Sequence, residues 1–194
     1  MPFASLEARE KFAAPFRYFV APKALSAELS SLLLGWLETS APWKLVEADF
    51  YEQYEFSLRD VALPGEIGTS LSSENIAALR RVVESAFDVR LREECDATVH
   101  KLVPGQRIRI HNDFIPGHET HRVLVQLNRG WGDENGGALI FFNSTEASDI
   151  HKVFRPMHNS CVAFEISQKS LHAVSTIHSG ERFTLVFSFY REDE

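Results

Sequence analysis

The sequence predicts a mainly β domain with some α-helix, whose β part is a jelly roll or a small barrel. The chain of 194 residues is 44% hydrophobic and 24% charged, which is typical of one ordered domain, expected here over residues 1–194. Two amphipathic helices are predicted within residues 1–97. Eight short extended runs separated by turn residues are predicted in residues 98–191, with no long helix between them.

Residues 1–97 are expected to support the β part. Leucines and a tryptophan recur at steps of three and four between Leu25 and Leu37, which predicts a helix that ends at residues 39–42. A second helix is predicted after Ser72 and Ser73, because serine is a good N-cap. Its apolar face would contain Ile76, Leu79, Val83, Ala86 and Phe87. Residues 43–58 predict one or two strands, and residues 64–70 predict turns.

The predicted strands of the second half alternate in polarity. They cover residues 98–103, 107–113, 121–128, 138–143, 149–155, 160–166, 171–178 and 182–191. In the last strand, Phe183, Leu185, Phe187 and Phe189 share one face, and Arg182, Thr184, Val186, Ser188 and Tyr190 share the other. The same alternation places Arg107, Arg109, His111 and Asp113 on one face. If helices cover the apolar faces, the polar faces line an interior that is costly to form unless it holds a ligand or metal ion.

Two of the residues on this face, His111 and Asp113, form a candidate metal site together with His172. His111 and Asp113 are two residues apart on one strand face, so both can reach a single ion. His172 on a later strand would complete a set of two histidines and one carboxylate, which leaves coordination positions open. Arg182 and Thr184 share a face of the last strand, where a guanidinium beside a hydroxyl suits the carboxylate of a small diacid.

The order of the motifs around these residues is more specific than the candidate ligands alone. A Pro104-Gly105 turn precedes His111-Asn112-Asp113, and the next strand ends in Leu127-Asn128. Trp131, the Gly136-Gly137 pair, Pro156, His172 and the Gly180-Glu181-Arg182-Phe183-Thr184 segment follow in that order. Over residues 98–191 the sequence resembles the prolyl-hydroxylase-like branch of the 2-oxoglutarate- and Fe(II)-dependent dioxygenases. This resemblance implies a double-stranded β-helix core with the N-terminal helices packed on its larger sheet.

The resemblance also implies roles for individual residues. His111, Asp113 and His172 would be the catalytic residues that bind Fe(II), with 2-oxoglutarate as cosubstrate and dioxygen as oxidant. Arg182 and Thr184 would hold the distal carboxylate of 2-oxoglutarate, and Leu139 would pack on its methylene chain. Gln126 occupies the position where some relatives use a cosubstrate-binding tyrosine. Arg107, Arg109 and Trp131 are expected near the substrate.

The reaction implied is hydroxylation of an aliphatic C–H bond, because related halogenases lack the carboxylate ligand that Asp113 would supply. The expected substrate is an amino-acid residue in a peptide or protein. The alternatives are a free amino acid or a small natural product. A non-catalytic β-barrel that binds a small ligand is the alternative outside the enzymes.

Charge and cysteine content exclude several classes of protein. With 20 Lys and Arg against 27 Asp and Glu, the net charge of −7 argues against a nucleic-acid partner. Cys95 and Cys161 cannot form a disulfide framework or a zinc ribbon. No apolar run resembles a signal segment or a membrane span, so a cytoplasmic protein without a membrane partner is expected. The oligomeric state is not predicted.

The six further histidines, two of which lie in one short segment, carry weaker expectations. The His118-Glu119-Thr120-His121 segment lacks the spacing of a zinc protease motif and is expected to form a flexible lid or substrate loop. His100, His151, His158 and His178 are expected to be solvated or core side chains.

Overall fold

The computed structural model describes residues 2, 3, 6 and 9–192, and within them a mainly β fold with three α-helices. The helices are α1 (Ala27–Thr39), α2 (Gly65–Ser70) and α3 (Ser73–Phe87). The first strands are β1 (Glu10–Phe12), β2 (Tyr18–Ala21), β3 (Lys44–Ala48), β4 (Tyr51–Ser57), β5 (Leu91–Leu102) and β6 (Ile108–His111). The later strands are β7 (His121–Gln126), β8 (Leu139–Phe142), β9 (Ile150–Phe154), β10 (Cys161–Glu165), β11 (His172–Val174) and β12 (Arg182–Arg191).

The strands form one curled antiparallel sheet. Its order is β1-β2-β10-β7-β12-β5-β4-β6-β11-β8-β9, and β3 pairs with β4 at the side. Inward side chains of β4, β5, β7 and β12 face those of β6, β8 and β11 across a common cavity. The sheet therefore closes on itself into a double-stranded β-helix. The larger sheet consists of β1, β2, β10, β7, β12, β5 and β4, and the smaller sheet consists of β6, β11, β8 and β9.

The helices cover the outer face of the larger sheet. Leu33 of α1 and Val83 of α3 are buried in the same apolar cluster as Phe187 of β12. The α1 helix begins where the backbone N–H of Leu29 donates to the Ser26 side chain at 3.2 Å, as expected for an N-cap. Burial of the apolar helix faces against the phenylalanines of β12 stabilises this layer. The predicted packing of helices on the larger sheet is confirmed.

A second apolar cluster lies between the two sheets, beside the cavity. It includes Tyr18, Phe141 and Phe164. The rings of Tyr18 and Phe141 meet edge to face with centroids 5.2 Å apart, a favourable geometry for aromatic pairs. This cluster fixes the smaller sheet, which carries β11 and one of the candidate metal ligands.

Seven of the eight extended runs predicted for residues 98–191 each contain a whole strand, and residues 43–58 form the β3–β4 hairpin. The first run, 98–103, contains only the end of β5, which begins at Leu91 and not at the predicted residue 98. The short strands β1 and β2 and the helix α2 were not predicted. Helix α2 contains Gly65 and Gly68, which are poor helix formers, so its sequence resembles a turn. Among the described residues, no helix is both long enough and apolar enough to cross a membrane.

The predicted face of β6 is wrong in part. Ile108, His111 and Asp113 line the cavity, whereas Arg107 and Arg109 are exposed outside it. The register changes between β11 and β6: His172 pairs with His111, and Val174 pairs with Ile108. Two steps on β11 therefore match three on β6. The extra residue is a β-bulge, and it reverses the alternation that the sequence suggests.

Candidate functional site

The side chains of His111, Asp113 and His172 converge at one end of the cavity. His111 Nε2 lies 3.2 Å from Asp113 Oδ1, and His172 Nε2 lies 3.1 Å from Asp113 Oδ2. One ligand atom from each residue falls within 4.8 Å of the other two. Cross-strand pairing of His172 with His111 brings the two imidazoles together, although they are distant in the sequence. Two imidazoles and one carboxylate in this arrangement are the donor set of a non-haem Fe(II) site.

Backbone carbonyls orient both imidazoles towards this point. His111 Nδ1 donates to the Arg109 carbonyl at 2.8 Å, and His172 Nδ1 donates to the Ser170 carbonyl at 2.7 Å. Each ring therefore carries its proton on Nδ1, which leaves the Nε2 lone pair directed at the site. Burial lowers the pKa of His172, which favours the neutral imidazole that a metal ion requires. The donor chemistry of the three residues thus fits a divalent metal ion.

Asp113 is held by its backbone and by an arginine. Its φ of 59° lies in the left-handed region, which is uncommon for a residue other than glycine. Arg122 on β7 donates an N–H of Nη1 to Asp113 Oδ2 and an N–H of Nη2 to Glu119 Oε1. Burial alone would raise the pKa of Asp113, but Arg122 and the neighbouring His172 and His111 lower it well below its usual range. The carboxylate therefore stays ionised and oriented.

The cavity has a volume of about 260 Å³ and contains a second charged group, Arg182. Arg182 is 3% exposed, and its Nη1 donates to Thr184 Oγ1 at 2.8 Å. Thr184 in turn donates to Gln126 Oε1 at 3.0 Å. Burial lowers the pKa of Arg182 to about 10, no carboxylate of the described residues pairs with it, and its Nε lacks a hydrogen-bond partner. A buried guanidinium in this state is suited to an anionic ligand.

The Gly136-Gly137 pair explains how Arg182 is accommodated. Gly137 has a φ of 69°, and a Cβ at this position would lie 2.9 Å from Arg182 Cδ. The glycine therefore supplies both the backbone conformation and the space that the arginine needs. Trp131 packs beside this segment, is 6% exposed, and donates its indole N–H to the Gly136 carbonyl at 2.8 Å.

The predicted site residues divide into two groups. Arg182, Thr184 and Leu139 line the cavity with the candidate metal ligands, and Gln126 contacts the cavity through Thr184. Trp131 does not line the cavity, because its ring packs in the apolar cluster between the sheets. Arg107 and Arg109 line a separate surface depression, for which the β-bulge in β6 is the reason.

The expectation for the 118–121 segment is also wrong in part. His118 is exposed, but His121 is the first residue of β7 and is completely buried. Its ring packs edge to face on Phe87 of α3, with centroids 4.9 Å apart. Burial lowers the pKa of His121 to about 3, so it is a neutral core side chain and not part of a lid.

Sequence reasoning missed four polar residues of the cavity: Gln53, Glu55, His100 and Arg122. Arg122 could have been found, because it alternates with Leu124 and Gln126 on the inward face of β7. The other three depend on how β4 pairs with β5, and nothing in either strand alone indicates that register.

Comparisons with known proteins agree with this geometry. Residues 97–190 match the model of the 2OG-Fe(II) oxygenase superfamily, the family that the motifs predicted. A search of curated proteins found no match. The family implies Fe(II), 2-oxoglutarate and dioxygen, and it supports a dioxygenase, as the sequence indicated.

Solved structures share the fold at low sequence identity. A prolyl-4-hydroxylase of Pseudomonas putida is 18% identical with a TM-score of 0.72, covering 90% of this chain and 92% of that one. A Trichoplax adhaerens prolyl hydroxylase, in complex with a peptide of hypoxia inducible factor, is 14% identical with a TM-score of 0.68, covering 91% and 84%. A viral collagen prolyl hydroxylase of Paramecium Bursaria Chlorella virus-1, in complex with 2OG, is 16% identical with a TM-score of 0.63, covering 89% and 94%. At these identities the likeness shows the fold, a double-stranded β-helix.

Proposed function

We propose that the protein hydroxylates an aliphatic C–H bond of an amino-acid residue in a peptide or protein. In this proposal, residues 97–190 form the 2OG-Fe(II) oxygenase domain that carries out the reaction. The observation that carries this proposal is the content of one cavity. It contains the two-histidine, one-carboxylate set and, on the facing sheet, the unpaired Arg182. A metal site that leaves coordination positions open, next to a buried cation that lacks an anion, suits a metal-chelating diacid.

Each residue has a distinct part in the proposed reaction. His111, Asp113 and His172 would hold the iron, with Arg122 and two backbone carbonyls fixing their orientation. When bound, iron and 2-oxoglutarate supply the oxidising chemistry, in which dioxygen gives the hydroxylated product, succinate and CO2.

The facing sheet would position the cosubstrate. Arg182 and Thr184 would hold its distal carboxylate, the Thr184 hydroxyl turning its one proton from Gln126 Oε1 to the bound carboxylate. Leu139 would pack on the methylene chain and exclude water from it.

A surface depression beside the cavity supports a peptide substrate. The depression has a volume of about 410 Å³ and shares Phe50 and Tyr51 with the cavity. Arg107 and Arg109 line it, so they remain candidates for contact with a substrate that extends out of the cavity. Two of the structural neighbours are named for peptide or collagen substrates, which supports the same substrate class. A cytoplasmic location is part of the proposal, supported by Cys95 and Cys161, which are both free and buried.

The test begins with the cosubstrate. Under anaerobic conditions, Fe(II) and 2-oxoglutarate should give the weak visible charge-transfer band of their chelate in the wild-type protein. In air, the protein should convert 2-oxoglutarate to succinate, and peptides should gain 16 Da by mass spectrometry in a screen against free amino acids. A gain confined to free amino acids would overturn the peptide assignment. Absence of both the band and succinate would overturn the dioxygenase proposal itself and favour a ligand-binding barrel.

A further inference from the structure

A polar row crosses the larger sheet at the level of Thr184. The backbone register pairs Glu55 with His100, His100 with Thr184, and Thr184 with Gln126. Side chains that lie opposite each other on neighbouring antiparallel strands point to the same face. Here that face is the inside of the barrel, because Glu55, His100 and Thr184 all line the cavity. The row therefore continues the Arg182–Thr184 group across β5 to β4.

His100 has one ring nitrogen engaged and one available. His100 Nε2 lies 3.3 Å from the Thr98 hydroxyl and 3.9 Å from Glu55 Oε2. Nδ1 makes no hydrogen bond to any of the residues that the structure describes. When the Thr98 hydroxyl donates to Nε2, the ring proton lies on Nδ1 and can be donated to a ligand in the cavity.

Glu55 is fixed beside this ring. Gln53 donates its side-chain amide to Glu55 Oε2 at 2.7 Å, and Gln53 itself is 2% exposed. Among the described residues, Glu55 forms an ion pair with no lysine or arginine, and the neighbouring imidazole is its nearest basic group. A carboxylate held on the Nε2 side of the ring stabilises any positive charge that the imidazole gains when an anion binds at Nδ1.

We propose that His100 is a further cosubstrate-binding residue, which donates a third hydrogen bond to the distal carboxylate of the 2-oxo diacid beside Arg182 and Thr184. Glu55 is then a positioning residue that holds the His100 ring. This inference rests on the proposed function, since it assumes a 2-oxo diacid bound at the metal. It also corrects the expectation from the sequence that His100 is a solvated or core side chain, because the ring lines the cavity.

Two features of the cavity support a ligand at this place. Buried polar atoms in proteins are nearly always hydrogen-bonded, and exceptions at one location point to a missing partner. Among the described residues, Arg182 Nε is buried without a partner, and His100 Nδ1 on the neighbouring strand, though its side chain is 22% exposed, also makes no hydrogen bond. In the absence of a ligand, burial and the positive charges of Arg122 and Arg182 lower the pKa of His100 to about 3, so the ring is neutral. An anion between the two groups satisfies both.

The test measures cosubstrate binding in His100→Leu and His100→Asn variants of the full chain. Anaerobic titration of the Fe(II)-loaded protein with 2-oxoglutarate gives a Kd from the charge-transfer band. His100→Leu should weaken binding about tenfold or more, the loss expected for a hydrogen bond to a charged group. His100→Asn should recover part of the affinity, because its amide N–H lies near the position of the histidine Nδ1.

A second ligand distinguishes contact with the carboxylate from general damage. The compound 2-oxopentanoate has the same metal-binding end as 2-oxoglutarate but lacks the distal carboxylate. Its affinity should be the same in wild type and His100→Leu, whereas a distorted cavity would bind both ligands less tightly. His151→Leu, at an exposed position on β9, is the matched control and should bind 2-oxoglutarate as wild type does.

The outcomes separate this inference from the proposed function. If wild type gives no band with 2-oxoglutarate, the proposed function fails and the inference with it. If wild type binds and His100→Leu binds equally tightly, or loses both ligands equally, the inference alone is overturned. Glu55→Gln should weaken 2-oxoglutarate binding less than His100→Leu does, and an equal or larger loss would assign the direct contact to another group.

Discussion

Replacement of Arg182 by methionine should stabilise the protein in the absence of cosubstrate while weakening its response to 2-oxoglutarate. Burial lowers the pKa of Arg182 from its ordinary value of 12.5 to about 10. At about 1.4 kcal/mol for each pKa unit, the charged form is disfavoured by about 3 kcal/mol in the folded protein. The variant also loses the hydrogen bond to Thr184, worth about 1 kcal/mol. The net gain in the free energy of unfolding is therefore about 2 kcal/mol.

Thermal unfolding measures both halves of this prediction. For a chain of this length, a gain of about 2 kcal/mol raises the Tm by about 4 to 8 °C. With a redox-inert divalent metal present throughout, 2-oxoglutarate should raise the Tm of wild type, because a ligand that binds the folded state stabilises it. The Tm of Arg182→Met should rise much less at the same concentration of 2-oxoglutarate, because only the metal-binding end of the ligand is then held.

Arg155→Met is the matched control, since Arg155 is an exposed arginine that pairs with Asp133 at 2.6 Å. Its effect on the free energy of unfolding should stay within about 0.5 kcal/mol, with a normal response to the cosubstrate. A destabilised Arg182→Met protein that still gains the full increase in Tm with 2-oxoglutarate would show that the reasoning about the unpaired charge is wrong.

Three further predictions concern a candidate metal ligand, the arginine that pairs with Asp113, and a core histidine. His172→Ala should lower divalent-metal affinity in calorimetry by more than the roughly 10- to 100-fold typical of a supporting residue, while His151→Ala should not change it. Arg122→Leu leaves the mostly buried Asp113 carboxylate without its cation, so urea unfolding should show a loss of about 3 to 5 kcal/mol that a divalent metal partly restores. Because the pKa of His121 is about 3 in the folded protein and about 6.5 when unfolded, its neutral form stabilises the fold above pH 6.5 and this stability is lost as the pH falls. Wild type should lose about 2 kcal/mol more than His121→Phe between pH 7 and pH 5 in urea unfolding, and equal losses would contradict this explanation.

The candidate metal ligands could be predicted from the sequence because their signal is local. His111 and Asp113 are two residues apart on one segment, and His172 was predicted from the order of motifs that ends in the Gly180–Thr184 segment. The alternation of β12 likewise indicated which of its side chains face inward, and the cavity lining agrees with it. These features depend on the backbone of one strand at a time, so a single sequence contains them.

The remaining parts of the cavity depend on pairings between strands that are distant in the sequence. The β-bulge that turns Arg109 outward exists only where β6 meets β11, and it reversed the predicted face. His100 and Glu55 became neighbours because β4 pairs with β5 in a particular register. A shift of β4 by one residue in that register would point Glu55 away from the cavity and separate it from His100. Sequence patterns within β4 or β5 do not determine this register, so the polar row was not predictable.

The different surroundings of the two cavity arginines determine how a diacid would be oriented under the proposed function. Arg122 is already neutralised by Asp113 and Glu119, so it offers little attraction to a further carboxylate. Arg182 has no such partner and lies at the level of Thr184, on the sheet that faces His172. A dianion that enters this cavity therefore meets two unsatisfied positive centres, a metal ion at the three ligands and the Arg182 guanidinium. Because only the 2-oxo acid end can chelate the metal, the distal carboxylate is left for Arg182 and not for Arg122, whose charge is already paired with two acids.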